Sequence, residues 1–373
     1  MTTIDCQELD YALSLKEGWC RSVDAPARSE PATLTVKQLK ALGEDERAHY
    51  EELRSVWHAN LGPISTPQMR AVNEDLDEIV TSNRQDGDKV KGAAVLDAYP
   101  GLGKTTIAVS FGREFHRRQI ATYGTRTEAG DERIPVVYLG LTSNTTMRSL
   151  NSMLCRFYGH PGAERGNATQ LAYRATDCVF SCKTRLVIVD DVHFLDPGRR
   201  DGREVANHLK WLANQFPVTF LFVGVGLRQR GLLTEGLGPG DAAFAQTARR
   251  WTPLTVAPFE IVTDEGRVTW RRLLLSIERM LVLANKHHGM VADELAGYLY
   301  ARSTGHFASL MTLITRGCRR AVRTGEERLS KDLLDGVKND EAAELARREL
   351  EAAIDHGLLR ATPGALEGRS GAA

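Results

Sequence analysis

Four apolar residues, Ala93-Ala94-Val95-Leu96, lead into the stretch Ala98–Thr106, AYPGLGKTT, and the apolar pattern resumes at Ile107-Ala108-Val109. The order is buried strand, tight glycine turn, helix start, and few folds accommodate it. It is the context of a phosphate-binding loop. Gly101 and Gly103 carry no Cβ, so the backbone can curl until several N–H groups face one anion. Pro100, Gly101, Leu102, Gly103, Lys104, Thr105 and Thr106 are therefore the candidate nucleotide contacts. Lys104 would reach the β- and γ-phosphates. The Thr105 hydroxyl would ligate Mg²⁺, and the helix beginning there turns its positive end toward the phosphates. The pattern G-x-x-x-x-G-K-[ST] calls for glycine at 98, where this chain has alanine. That exchange is costly only if the residue must take positive φ.

A second apolar run, Leu186–Val189, ends in Asp190-Asp191. A buried strand that delivers carboxylates at its end is how P-loop enzymes hold the Mg²⁺ shell and the attacking water. Asp190 takes the place of the Walker B acid. Asp191 stands where a glutamate usually polarises water, and it is one methylene shorter. A misplacement of about 1 Å can cost roughly 100-fold in rate, so ATP binding is the firmer expectation and hydrolysis should be slow. The strand Val218–Val223 runs into Gly224-Val225-Gly226, which puts Gly226 where related ATPases carry a polar sensor. Arg249-Arg250 precede Trp251 and a last strand, an edge from which an arginine can reach a neighbouring subunit's γ-phosphate. The alternative is a solvated arginine stacked on Trp251. Arg316, Arg319, Arg320 and Arg323 share one helical face. They suit a phosphate backbone or simply a solvated face, as do Arg199, Arg200 and Arg203.

The strands expected at 92–97, 135–141, 185–190, 217–223 and 252–256 alternate with helices near 104–119, 145–158, 168–182 and 203–215. Near-continuous apolar strands between amphipathic helices predict an α/β fold with a parallel sheet flanked by helices. Its ligand should sit at the carboxyl ends of the strands. From 267 onward only helices are expected, at 267–285, 291–303, 306–324, 330–337 and 340–356. Ahead of the sheet, helices are expected at 36–42, 44–59 and 67–84. The resulting division is a linker-like N-terminus (1–34), a helical leader (35–90), a core (91–260), an all-helical lid (261–338) and a tail (339–373) that ends in a disordered RATPGALEGRSGAA.

With 373 residues, two or three structural units are expected. Lys and Arg number 48, as do Asp and Glu, so the formal charge is zero and any nucleic-acid binding must rest on local patches. No stretch approaches the roughly 18 uncharged residues of a membrane span, and MTTIDCQELD lacks the features of a secretory signal. Six cysteines in a chain this long make no disulfide framework. Cys178 and Cys182 read as ordinary thiols, without a second pair to complete a metal site. A cytosolic protein is expected.

In order, AYPGLGKTT, RLVIVDDVHFL (185–195), QTARRW (246–251) and TGHFASLMTLI (304–314) resemble the TniB branch of transposon-encoded AAA+ ATPases, relatives of TnsC and IstB. The leader EDERAHYEELRSVWHANLGPISTPQMRAV is similar to the segment preceding the core in that family. The resemblance spans roughly residues 35–340. It implies an ATP-driven self-assembly, ring or filament, on duplex DNA that passes target-site information to a transposase. By motif match it implies Lys104 and Thr105 as nucleotide and Mg²⁺ contacts, Asp190 as the Walker B acid and Arg250 as a finger acting in trans. Ala98, Asp191 and Gly226 depart from the family pattern, and no arginine occupies the sensor place near Gly305–Leu310. The alternative function is an ATP-dependent signalling or defence switch of the initiator-like or STAND type.

Overall fold

The computed structural model describes residues 10–86, 89, 91–195, 200–229 and 251–363. The chain divides into two units, each with its own core. One is formed by Leu9–Pro26 and Gln68–Ala257, the other mainly by Ala27–Pro67 and Pro258 onward.

The first unit is built on a five-stranded parallel sheet of order β2-β3-β4-β1-β5. Its strands are β1 (Ala93–Ala98), β2 (Val136–Gly140), β3 (Leu186–Asp190), β4 (Thr219–Gly224) and β5 (Trp251–Val256). Every residue of β3 and β4 is buried, which is why their sequences are unbroken apolar runs rather than alternations. Among the described residues β5 bonds only to β1, and Pro253 sits in it. A residue without an N–H is tolerated on an edge strand.

Helices α1 (Lys16–Asp24), α4 (Pro67–Ser82), α5 (Lys104–Tyr123), α6 (Met147–Phe157), α7 (Ala168–Ser181) and α8 (Arg200–Gln215) complete this unit. Thr146 and Asn167 cap α6 and α7 by accepting from Ser149 N and Gln170 N. That is the local chemistry that starts a helix after a loop. α1 corrects the reading of residues 1–34 as linker. Its Trp19 is fully buried in the core and fills a slot opened by Gly112 of α5, where any Cβ would lie 2.9 Å from the indole. An isolated glycine inside a helix costs about 1 kcal/mol against alanine, and here the indole takes the space.

The second unit holds α2 (Val36–Ala41), α3 (Glu44–Ala59), α9 (Asp264–Met280), α10 (Ala296–Ser303), α11 (Phe307–Thr324), α12 (Lys331–Asp335) and α13 (Glu341–Asp355). The expected leader 35–90 is therefore not one body. Its α2 and α3 share a unit with the C-terminal helices, while α4 belongs with the sheet. Arg54 of α3 forms a bidentate ion pair with Glu327 at 2.7 and 3.1 Å, and both side chains are almost fully buried. The helix expected at 267–285 ends at Met280, and that at 291–303 begins with a π-helical turn, Met290–Glu294. The buried Glu278 carboxylate explains the turn: it accepts from the amides of Gly289, Val291 and Ala292 at 2.9, 2.8 and 3.2 Å. In the tail, α13 packs on α10 and Ala361 is buried, so the segment expected to be disordered from 360 is ordered through 363. Residues 364–373 lie outside the described ones.

Candidate nucleotide site

The turn between β1 and α5 is left-handed at both glycines, with φ of 77° at Gly101 and 80° at Gly103. No neighbouring atom comes within 4 Å of a Cβ built on Gly103. Backbone conformation, not crowding, demands glycine there. Ala98 ends β1 and is not among the residues with positive φ, so the alanine carries no strain. Leu102 anchors the loop, its side chain buried at 5% exposure, while Gly101, Thr105 and Thr106 are exposed. The first intrahelical bond of α5 runs from Ile107 N to Gly103 O at 2.9 Å. The amides of Lys104, Thr105 and Thr106 precede it and face out of the helix start, the disposition that binds an anion.

Lys104 is half-buried and its ammonium donates to Tyr99 O at 2.7 Å. Burial lowers its pKa, and the carboxylates of Asp190, Asp97 and Asp191 oppose that shift. The lysine and both acids of the second motif thus share one electrostatic neighbourhood. Asp190 is buried at the end of β3. Its Oδ2 accepts from the Tyr138 hydroxyl at 2.9 Å and its Oδ1 from the Asp191 amide at 2.8 Å. A carboxylate offers about four lone-pair sites, so each oxygen keeps capacity for a hydrated cation. Asp191 takes φ 58° and starts a short 3₁₀ turn, Val192–Phe194. Aspartate tolerates that left-handed geometry better than most residues. Burial, then Asp190, raises its pKa, while His193 and Lys104 pull it down.

Three further residues were not legible from the motifs. Asp97, one residue before Ala98, accepts from Arg228 N at 3.0 Å and so ties the turn after β4 to the phosphate-loop strand. Tyr138 of β2 holds Asp190. Burial and then the Asp190 charge push its phenol pKa up, which keeps it a donor. Trp19 stacks on Tyr138 with centroids 6.3 Å apart and donates to His116 Nδ1 at 3.0 Å. One local signal did exist, the glycine in mid-helix at 112.

β4 ends at Gly224 and Gly226 lies two residues beyond it with φ 63°. The strand end itself thus presents a glycine. The C-terminal arginine nearest the expected sensor place, Arg302, is buried and donates to Tyr298 Oη, Leu334 O, Val337 O and Glu344 Oε1. Arg249, Arg250, Arg199 and the side chains of Arg200 and Arg203 lie outside the described residues. Burial pushes the Cys178 and Cys182 thiols up to about 11 and about 12. A separate cavity of about 330 Å³, lined by Arg84, Phe115, Arg118, Tyr123, Arg185 and Thr219 among others, opens at the amino ends of β3 and β4. The phosphate loop lies at the carboxyl end of β1, and none of its residues or the paired acids line that cavity.

Residues 87–232 match a family described as AAA domain. No curated protein matches the sequence. The chain is similar to the Orc1 protein of Aeropyrum pernix, solved in complex with DNA, with a TM-score of 0.55 and 17% identity over 81% of this chain and 71% of that one. It is also similar to the Orc2 protein of the same organism, solved as ADPNP–ADP complexes, with a TM-score of 0.53 and 17% identity over 82% and 74% of the two chains. Cdc6p from Pyrobaculum aerophilum gives a TM-score of 0.50 and 13% identity over 73% and 67%. At these identities the likeness is one of fold: a P-loop AAA+ sheet flanked by helices, with a helical C-terminal region.

Proposed function

We propose that this chain binds Mg·ATP, hydrolyses it slowly, and assembles on duplex DNA as a ring or filament that regulates transposition. The observation that carries the nucleotide reading is the shared neighbourhood of Lys104, Asp190 and Asp191 at the carboxyl ends of the strands, next to two left-handed glycines. The loop amides from Gly101 to Thr106 and the Lys104 ammonium would hold the phosphates, once Lys104 releases Tyr99 O. The Thr105 hydroxyl and Asp190 would hold the magnesium through its water shell. Bound Mg²⁺ supplies charge neutralisation for phosphoryl transfer. Asp191 would orient the attacking water, and its short side chain accounts for slow turnover. Arg250 is proposed as the charge donated across a subunit boundary.

The assembly and DNA parts draw on two supports. The order of leader, core and lid motifs resembles TniB-type ATPases, and the similar Orc1 protein was solved with DNA. The transposase partner rests on the first support alone.

The test is electron microscopy of the full chain with duplex DNA and a slowly hydrolysed ATP analogue, beside a Lys104→Ala arm. Ordered rings or filaments that require nucleotide and vanish in Lys104→Ala support the reading. Unassembled chains under every nucleotide condition refute assembly. Phosphate release that persists in Lys104→Ala refutes the site. Unchanged DNA-stimulated turnover in Arg250→Ala removes that residue's role.

A further inference from the structure

We propose that α11 and the segment Gly336–Lys338 form a phosphate-binding surface for the backbone of duplex DNA. The choice of ligand rests on the DNA reading above; the surface itself rests on the following geometry.

Arg316, Arg319, Arg320 and Arg323 line an open cavity of about 240 Å³ with Gly336, Val337 and Lys338. Arg320 lies flat against Gly336, where a Cβ would come within 2.4 Å of the guanidinium. It donates to Gly336 O, and Arg316 donates to Lys338 O, each at 2.7 Å. A guanidinium carries five N–H donors, so each of these two keeps most of them for another acceptor. Arg319 and Arg323 are exposed. Among the described residues no carboxylate pairs with any of the four.

Several arginines elsewhere on the surface have acids beside them, while others, such as Arg84, Arg126 and Arg148, meet hydroxyls or carbonyls. Arg47, Arg118, Arg267, Arg271 and Arg347 are all paired with carboxylates. Asp335, close in sequence to the cavity, is taken by Tyr298 and Arg347. On a chain of zero net charge, the four arginines of α11 make this face locally basic. Like charges at i,i+3 and i,i+4 repel one another along a helix, a cost that a bound polyanion removes.

The spread of the charges selects the ligand. From Arg316 to Arg323 the helix rises about 10 Å at roughly 1.5 Å per residue. One DNA strand presents a phosphate about every 3.4 Å of axis, so the row spans about three phosphates. The cavity lining holds no aromatic ring on which an unpaired base could stack, which favours duplex over single strand. Contacts of this kind position a protein without reading sequence.

The experiment measures duplex binding of the full chain by fluorescence anisotropy at several salt concentrations, with Mg²⁺ and a slowly hydrolysed ATP analogue. The exposed pair is used because Arg320 is packed: Arg319→Ala/Arg323→Ala, with Arg319→Lys/Arg323→Lys as the charge-retaining control. The alanine pair should bind about tenfold or more weaker on any duplex sequence. Its slope of log affinity on log salt should shrink by about 2. Binding of a fluorescent ATP analogue should not change, and the lysine pair should keep the slope. Equal affinity and slope in wild type and alanine pair overturn this surface and leave the DNA reading standing. Tighter binding to single strands, or a loss confined to one sequence, also overturns it. A wild-type chain that binds no duplex at low salt refutes both.

Discussion

Lys104 and Asp190 were legible as candidate site residues because their motifs are local: a glycine turn after one strand, an acid pair after another. Tyr138 was not. It reaches Asp190 across 52 residues of sequence, and nothing in VVYLG marks its tyrosine as a donor to a carboxylate. Tyr138→Phe keeps the ring on Trp19 and removes only the hydroxyl. Loss of a partner that orients a metal-holding carboxylate typically costs 10–100-fold in metal affinity or activity, so ATPase turnover should fall by about that much with little change in stability. Equal turnover in the variant would mean that Asp190 is held well enough without it. Two buried histidines make a pH prediction. His116 Nδ1 accepts from Trp19, His58 Nε2 accepts from Val282 N, and burial lowers both pKa values to about 4. Between about pH 4 and 6.5 the unfolded chain binds these protons and the folded chain does not, so stability falls as pH drops through that window. Each histidine should remove about 2 kcal/mol by pH 5. Urea midpoints at pH 7.5 and 5 should show the loss, and His116→Asn should lessen it by about one histidine's share.

At the scale of elements, the strands were readable because burial on both faces forces continuous apolar runs. β1 through β5 fall within a residue or two of the expected ranges. α1 was hidden because it is only nine residues long and runs straight into the proline-broken stretch Ala25–Thr33. Its helix is held by tertiary packing, above all by Trp19 in the Gly112 slot. Trp19→Ala should cost about 3–5 kcal/mol, the range for emptying a large buried aromatic site. Denaturant unfolding of the full chain checks this. A cost under about 1 kcal/mol would mean that α1 is a loosely attached arm.

At the scale of the whole molecule, the chain crosses between its two units more than once: 9–26 and 68–257 build one, and 27–67 builds the other with the C-terminal helices. Arg54 and Glu327 are 273 residues apart and form one buried ion pair. Removing one partner of such a pair leaves an uncompensated buried charge and costs about 3–5 kcal/mol. Arg54→Ala should therefore speed hydrogen exchange in α3 and in the helices around Glu327. Protection in the sheet unit should change far less. Equal loss of protection in both units would show that they open together.

By itself the sequence determined what depends on near neighbours: the glycine turn, the acid-tipped strand, the alternation of strand and helix, the helical C-terminal region. Each is set by backbone freedom, capping or burial over a few residues, so a short window contains the cause. Only the tertiary structure decided which distant segments share a core, that Trp19, Tyr138 and His116 line up behind Asp190, and that Arg316 and Arg320 of α11 meet backbone carbonyls rather than acids. Those outcomes depend on which surfaces meet when water is excluded, and no local stretch carries that information.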